Sequence, residues 1–184
     1  MKKYLITDPA HYTQEASSFA QKLRQALSEH QPEYALYRDK QNTDAALLAS
    51  TFIATSKEFA GLKSFLHSDV ALAELLGADG VHLTYRDKER IKEAKQKGLE
   101  VIVSTHTLQE ALDVEALGAD ALTYSPIFAS PNKGEPKGVE DLKNLLEKVN
   151  CKVFALGGIV TEKQLRELET TQVYGFASIR YFYS

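Results

Sequence analysis

The stretch Leu75-Leu76-Gly77-Ala78-Asp79-Gly80-Val81 recurs in outline as Ala116-Leu117-Gly118-Ala119-Asp120-Ala121-Leu122. In both copies a helical run ends on glycine, turns through Ala-Asp and enters a β-type run, so one helix-to-strand corner is used twice. Such a corner joins a helix to the strand that follows it. Repetition of the unit therefore predicts strands alternating with helices, and a parallel sheet.

The alternation continues along the chain. Apolar runs predict strands over 3–7, 34–37, 63–67, 80–83, 100–103, 121–124, 152–156 and 174–177. Helical spacing predicts helices over 13–29, 43–59, 69–76, 88–97, 108–117, 139–149 and 162–168. The first of these places Ala16, Phe19, Ala20, Leu23 and Leu27 on one face, and Thr107 with Glu110 reads as a capping box. Eight strands with interleaved helices predict a single α/β domain over 1–184, a TIM (β/α)8 barrel. A doubly wound sheet fits less well, because no Gly-x-Gly-x-x-Gly follows the first strand. After the eighth strand only 178–184 remain, so the eighth helix is expected to be truncated or missing. Tyr181, Phe182 and Tyr183, or a partner subunit in a homodimer, would then cover the groove between the first and seventh helices.

Composition narrows the function classes. The net charge of −3 offers no basic field to nucleic acid or an anionic membrane, though a local cationic pocket remains compatible with it. Cys151 is the single cysteine, which rules out an internal disulfide and a cysteine-built zinc site. The apolar run after Lys3 is too short for a signal peptide, and no later run approaches bilayer length. The expectation is a cytoplasmic protein acting on small molecules.

In a TIM barrel the chemistry sits in the loops after the strands. Arg38 and Lys40 follow the second strand two residues apart, a spacing that suits a phosphate or pyrophosphate. Asp87 follows the fourth strand, where a carboxylate can hold magnesium beside a phosphate or simply cap the next helix. Ser104, Thr105, His106 and Thr107 end the fifth strand with three hydroxyls and an imidazole, and His106 is a candidate proton shuttle. His67 ends the third strand on the same side, whereas His82 lies inside a strand and reads as structural. The loop from Ser125 to Lys137 carries Pro126, Pro131 and Pro136 and exceeds the usual length, as a ligand-ordering lid does; Lys133 is its main candidate contact. Gly157-Gly158 closes the seventh strand, where bare amides can approach a phosphate, and Ser178 and Arg180 follow the eighth.

Taken together, these residues resemble the thiamine phosphate synthase and TenI family. The resemblance rests on Tyr4-Leu5-Ile6-Thr7-Asp8, Ala78-Asp79-Gly80-Val81-His82-Leu83, Val103 to Ala111, Ser125-Pro126-Ile127-Phe128 and Ala155-Leu156-Gly157-Gly158-Ile159, in that order. It implies a barrel that joins hydroxymethylpyrimidine pyrophosphate to a thiazole phosphate and releases pyrophosphate with the help of Mg²⁺. It further implies Arg38 and Lys40 on pyrophosphate, Asp87 on magnesium, Ser104 on the pyrimidine, Lys133 in the long loop, and Gly157 or Gly158 on the thiazole phosphate.

The chain also departs from that pattern. Leu36 stands where the synthases carry glutamine, and His67-Ser68 stands where they carry Asn-Asp. One magnesium carboxylate is thereby lost unless Asp69 reaches in from its cap position. Ser130 and Asn132 replace threonines of the long loop, and Arg180 replaces a serine after the eighth strand. The thinned metal site resembles the TenI branch, which aromatises a thiazole carboxylate phosphate by proton transfer, yet the histidine of that branch is Pro126 here. The expectation is a thiamine-biosynthesis barrel of synthase type, with a TenI-type tautomerase and a non-catalytic, regulatory phosphate-ligand binding protein as the alternatives.

Overall fold

A computed structural model of the chain describes residues 1–39, 45–131 and 133–183. Eight parallel strands close into a barrel in sequence order: β1 (Lys2–Ile6), β2 (Tyr34–Tyr37), β3 (Lys63–His67), β4 (Gly80–Thr84), β5 (Glu100–Thr105), β6 (Ala121–Tyr124), β7 (Lys152–Leu156) and β8 (Gly175–Ser178). Around them run α1 (Ala16–His30), α2 (Ala45–Ser56), α3 (Val70–Leu76), α4 (Ile91–Gln96), α5 (Leu108–Ala116), α6 (Gly138–Leu146) and α7 (Glu162–Glu169). Closure is made by β1 and β8, with Tyr4 paired to Ala177 on one side and to Tyr34 on the other.

Two apolar layers follow from the strand alternation, in which successive side chains face opposite sides. Tyr4, Ile6, Tyr34, Leu36, Phe65, Ile102 and Phe154 form the layer inside the barrel. Leu5, Ala35, Leu66, Val81, Val101, Val103, Val153 and Phe176 face the helices instead, joining Phe19, Leu23, Leu27 and Phe52 in one continuous core. The interior rings need space, and two glycines supply it. A Cβ on Gly80 would stand 2.3 Å from the Phe65 ring, and one on Gly175 would stand 2.7 Å from the Phe154 ring. Burying each phenylalanine contributes about 2–3 kcal/mol, so these glycines permit bulk on neighbouring strands.

Helix ends follow local chemistry. Thr161 and Gln164 make a reciprocal capping box at α7, and Gly77 closes α3 in the left-handed conformation. Thr107 caps α5 through the Glu110 amide, but the Glu110 carboxylate accepts from His106 N at 2.6 Å, one residue earlier than a capping box requires. The helix expected from Lys88 begins as a 3₁₀ turn over Tyr85–Arg90 and becomes α-helical only from Ile91.

After β8 the chain forms a 3₁₀ turn, Arg180–Tyr183, in place of a longer helix. Phe182 is 2% exposed, lies parallel to Phe176 at 6.0 Å and meets His30 of α1 edge-on at 5.3 Å. Tyr183 stacks on His11 at 4.9 Å. Tyr181 lies 5.8 Å from the His30 ring and its hydroxyl donates to Glu162 of α7 at 2.8 Å, so these three aromatic residues cover the surface between α1 and α7. No described helix is long and apolar enough to cross a membrane.

Candidate active site

The loops at the C-terminal ends of the strands surround a cavity of about 810 Å³. Its floor is the top of the barrel interior: Ile6, Leu36, His67, His82, Ser104 and Leu156. Its walls receive one cation from the loop after each even-numbered strand, namely Arg38 after β2, Arg86 after β4, Lys133 after β6 and Arg180 after β8. Arg38 faces Asp8 at 3.7 Å, while its own amide donates to Thr7 Oγ1 at 3.0 Å and ties β2 to β1. Arg86, Lys133 and Arg180 make no ion pair with any described residue. The two acidic residues of the lining, Asp8 and Glu110, are already engaged by Ala10 N and His106 N.

The strands themselves bring uncharged polar groups to the floor. Ser104 Oγ lies 2.8 Å from His82 Nε2, and His82 Nδ1 lies 2.9 Å from the Tyr4 hydroxyl. Burial, with His67 and Arg38 nearby, pushes the His82 pKa down to about 3, so the imidazole is neutral. His106 stands higher in the wall, with Nδ1 3.0 Å from the Ser125 carbonyl oxygen. That acceptor places a proton on Nδ1, so in the neutral form of the ring Nε2 is the acceptor.

Gly157 and Gly158 have φ of +100° and +69°, and a Cβ on Gly158 would stand 2.4 Å from the Ala129 carbonyl. Their lack of side chains lets the long β6 loop pack directly on the end of β7, where Ile127 N donates to Leu156 O and Phe128 N to Gly157 O. The amides of Gly158 and Ile159 donate to no described residue, which keeps them available to an anion. Ser178 is different: its hydroxyl donates to the Ile159 carbonyl at 2.8 Å and receives the Tyr181 amide, so it joins the β7 and β8 loops.

Of the residues singled out in the sequence, Arg38, Ser104, His106, Ser130, Lys133, Gly157, Gly158, Ser178 and Arg180 line this one cavity. Lys40 and Asn132 lie outside the described residues. Asp69 and Asp87 are not among the lining residues. Asp69 caps α3 by accepting from Leu72 N at 2.9 Å. Asp87 accepts from Thr84 Oγ1 at 2.6 Å and Ser68 Oγ at 3.4 Å, joining the ends of β3 and β4. No group of three His, Cys, Asp or Glu in metal-binding proximity occurs among the described residues. Sequence reasoning passed over Arg86 and the floor role of His82. Arg86 was findable by position, since it follows a barrel strand; His82 has a partner 78 residues away and leaves no local signal.

A sequence model of the family described as thiamine monophosphate synthase matches residues 3–182. This chain belongs to that family. A relative from Aquifex aeolicus, provisionally named thiamine-phosphate synthase 2, is 35% identical over 185 residues, covering 97% of this chain and 96% of its own length. The thiamine-phosphate synthase of Bacillus anthracis is 32% identical over 161 residues, covering 81% of this chain and 72% of its own. Among solved structures, thiamine phosphate pyrophosphorylase from Pyrococcus furiosus superposes with a TM-score of 0.83 at 29% identity, covering 97% of this chain and 85% of its own. As a thiamine monophosphate synthase family member, the chain carries its polar and cationic residues at the strand ends where TIM-barrel enzymes place their chemistry.

Proposed function

We propose that the protein condenses an aminopyrimidine diphosphate with a thiazole phosphate and releases pyrophosphate, the reaction that the family resemblance implies and that accords with relatives named thiamine-phosphate synthase. The observation that carries this reading is the convergence of Arg38, Arg86, Lys133 and Arg180, three of them without an ion-pair partner among the described residues, on one cavity. Unpaired cations held around a concave site favour a multiply charged anion, and guanidinium groups grip phosphate oxygens in pairs. As the pyrimidine C–O bond breaks, negative charge grows on the departing diphosphate. Cations already in place stabilise that charge without rearrangement. The apolar floor beside Leu36 and Leu156 suits the two flat rings, and the Gly158 and Ile159 amides suit the thiazole phosphate.

The donor set fits a magnesium ion that arrives on the diphosphate better than one caged by protein. Asp87 is the carboxylate that would hold it, with Ser68 and Thr84 orienting the oxygens, since Mg²⁺ takes one or two carboxylates and otherwise keeps water and phosphate. Bound there, the ion would add charge neutralisation to that of the arginines.

Incubating purified protein with the pyrimidine diphosphate, thiazole phosphate and Mg²⁺, then oxidising to the fluorescent thiochrome, tests the reaction directly. Product above a no-enzyme control is the expected result, and its absence while both substrates bind would remove the synthase reading. A second reading rests on His106, whose Nδ1 is held by the Ser125 carbonyl so that Nε2 is the acceptor in the neutral form of the ring. A base so placed suits proton transfer on a thiazole phosphate, and that isomerase would run without magnesium.

A further inference from the structure

The barrel floor contains a hydrogen-bonded chain whose direction is fixed by counting donors. Tyr4 is fully buried, and His82 Nδ1, at 2.9 Å, is the acceptor of its hydroxyl among the described residues. Burial raises the Tyr4 pKa well above its ordinary value, so the hydroxyl keeps its proton and must donate it to Nδ1. A neutral imidazole that accepts at Nδ1 carries its proton on Nε2. Nε2–H therefore donates to Ser104 Oγ at 2.8 Å. The Ser104 hydroxyl, already an acceptor from His82, has no other described partner and lines the cavity. Its own hydrogen points to whatever occupies the site.

We infer that Tyr4 and His82 are positioning residues that set Ser104 as a hydrogen-bond donor into the cavity, and so select a ligand presenting an unprotonated ring nitrogen there. The naming of that ligand as an aminopyrimidine rests on the synthase reading; the direction of the chain does not. A ring carbon or an N–H at the same place would leave the Ser104 hydrogen without an acceptor in a partly dehydrated floor, and sites built to hydrogen-bond a ligand reject analogues that lack the partner group. Phe65, Tyr34 and Phe154 pack around Tyr4 at ring distances of 5.2–5.9 Å, which holds the phenol in place. The arrangement joins β1, β4 and β5 through side chains alone.

Two measurements test the inference separately. Nitrogen-15 NMR of the imidazole at neutral pH should find the His82 proton on Nε2; a proton on Nδ1 would overturn the assigned direction. Calorimetry should compare binding of hydroxymethylpyrimidine diphosphate with two analogues in which each ring nitrogen in turn is C–H. The unmodified protein should bind one of the analogues at least about 10-fold more weakly. In Tyr4→Phe, where His82 is free to become the acceptor of Ser104, that discrimination should fall to about 3-fold or less, while His82→Gln, which retains an N–H near the Nε2 position, should keep most of it. Discrimination unchanged in Tyr4→Phe would overturn the positioning role. Failure of the unmodified protein to bind the pyrimidine diphosphate would overturn the choice of ligand and the synthase reading together, leaving the NMR result to decide the hydroxyl's direction.

Discussion

The two ends of the barrel use charge in opposite ways. At the N-terminal end of the strands, three lysines are paired with carboxylates. Lys2 meets Glu33, Lys63 meets Glu100 and Lys95 meets Asp120, while the Asp79 and Asp120 carboxylates also accept the Ser64 and Val101 amides. The hydrogen bond from Lys63 Nζ to Glu100 raises the Lys63 pKa, the signature of a satisfied pair. At the C-terminal end Arg38 is paired with Asp8, but Arg86, Lys133 and Arg180 line the cavity and make no ion pair with any described residue. Half-exposed pairs contribute only about 0–1 kcal/mol each, but carboxylates that fasten strand amides hold the register. Like charges gathered without partners oppose folding and are retained where a ligand supplies the opposite charge. One end of the fold maintains its shape and the other leaves it with work to do.

Substitutions at the two ends should therefore separate activity from stability. The largest effect is expected at the upper end, where Lys133→Ala should lower kcat/KM by about 100-fold with little change in Tm, measured by thiochrome formation and calorimetry. At the lower end, Asp120→Ala should cost roughly 2 kcal/mol in urea unfolding, because it strands the Val101 amide and Lys95, and should leave kcat/KM of the remaining folded protein unchanged. Loss of activity in that variant without loss of stability would break the contrast.

The barrel floor makes a prediction of its own for acid. His82 is held at about 3 in the folded protein against 6.5 in the unfolded chain, so between those values the unfolded state binds the extra proton. Stability must then fall as pH drops below 6.5, by about 2 kcal/mol between pH 7.5 and pH 5. His82→Gln should lack this component, and equal acid sensitivity of the two proteins would contradict a neutral buried imidazole. The smallest effect is expected for Arg86→Ala, which should weaken inorganic pyrophosphate binding about 3- to 10-fold and flatten its salt dependence.

How much of this was legible in the sequence depends on the reach of each signal. The limits of β2, β3, β6 and β7 coincide with their apolar runs, because buried parallel strands are bounded by the turns beside them. The Thr161 cap of α7 is likewise a three-residue matter. Where competition is local but finely balanced, the pattern misled: Glu110 prefers the His106 amide to that of Thr107, and Thr84 draws Asp87 into a 3₁₀ turn before α4 begins. The site was legible as strand ends, which is why most expected residues do share one cavity. Its polarity was not, since the Tyr4–His82–Ser104 chain spans three strands and appears only when the barrel closes. Asp69 shows the converse, with sequence position alone unable to tell a metal ligand from the helix cap it makes with Leu72.

The measurement that tests the central claim most directly is a low-salt calorimetric titration of inorganic pyrophosphate into the unmodified protein and the Lys133→Ala and Asp120→Ala variants. The account predicts one saturable site that weakens as salt rises, is lost or severely weakened in Lys133→Ala, and is intact in Asp120→Ala. Absence of a saturable site in the unmodified protein, or equal binding by Lys133→Ala, would contradict the assignment of the upper end as a diphosphate site.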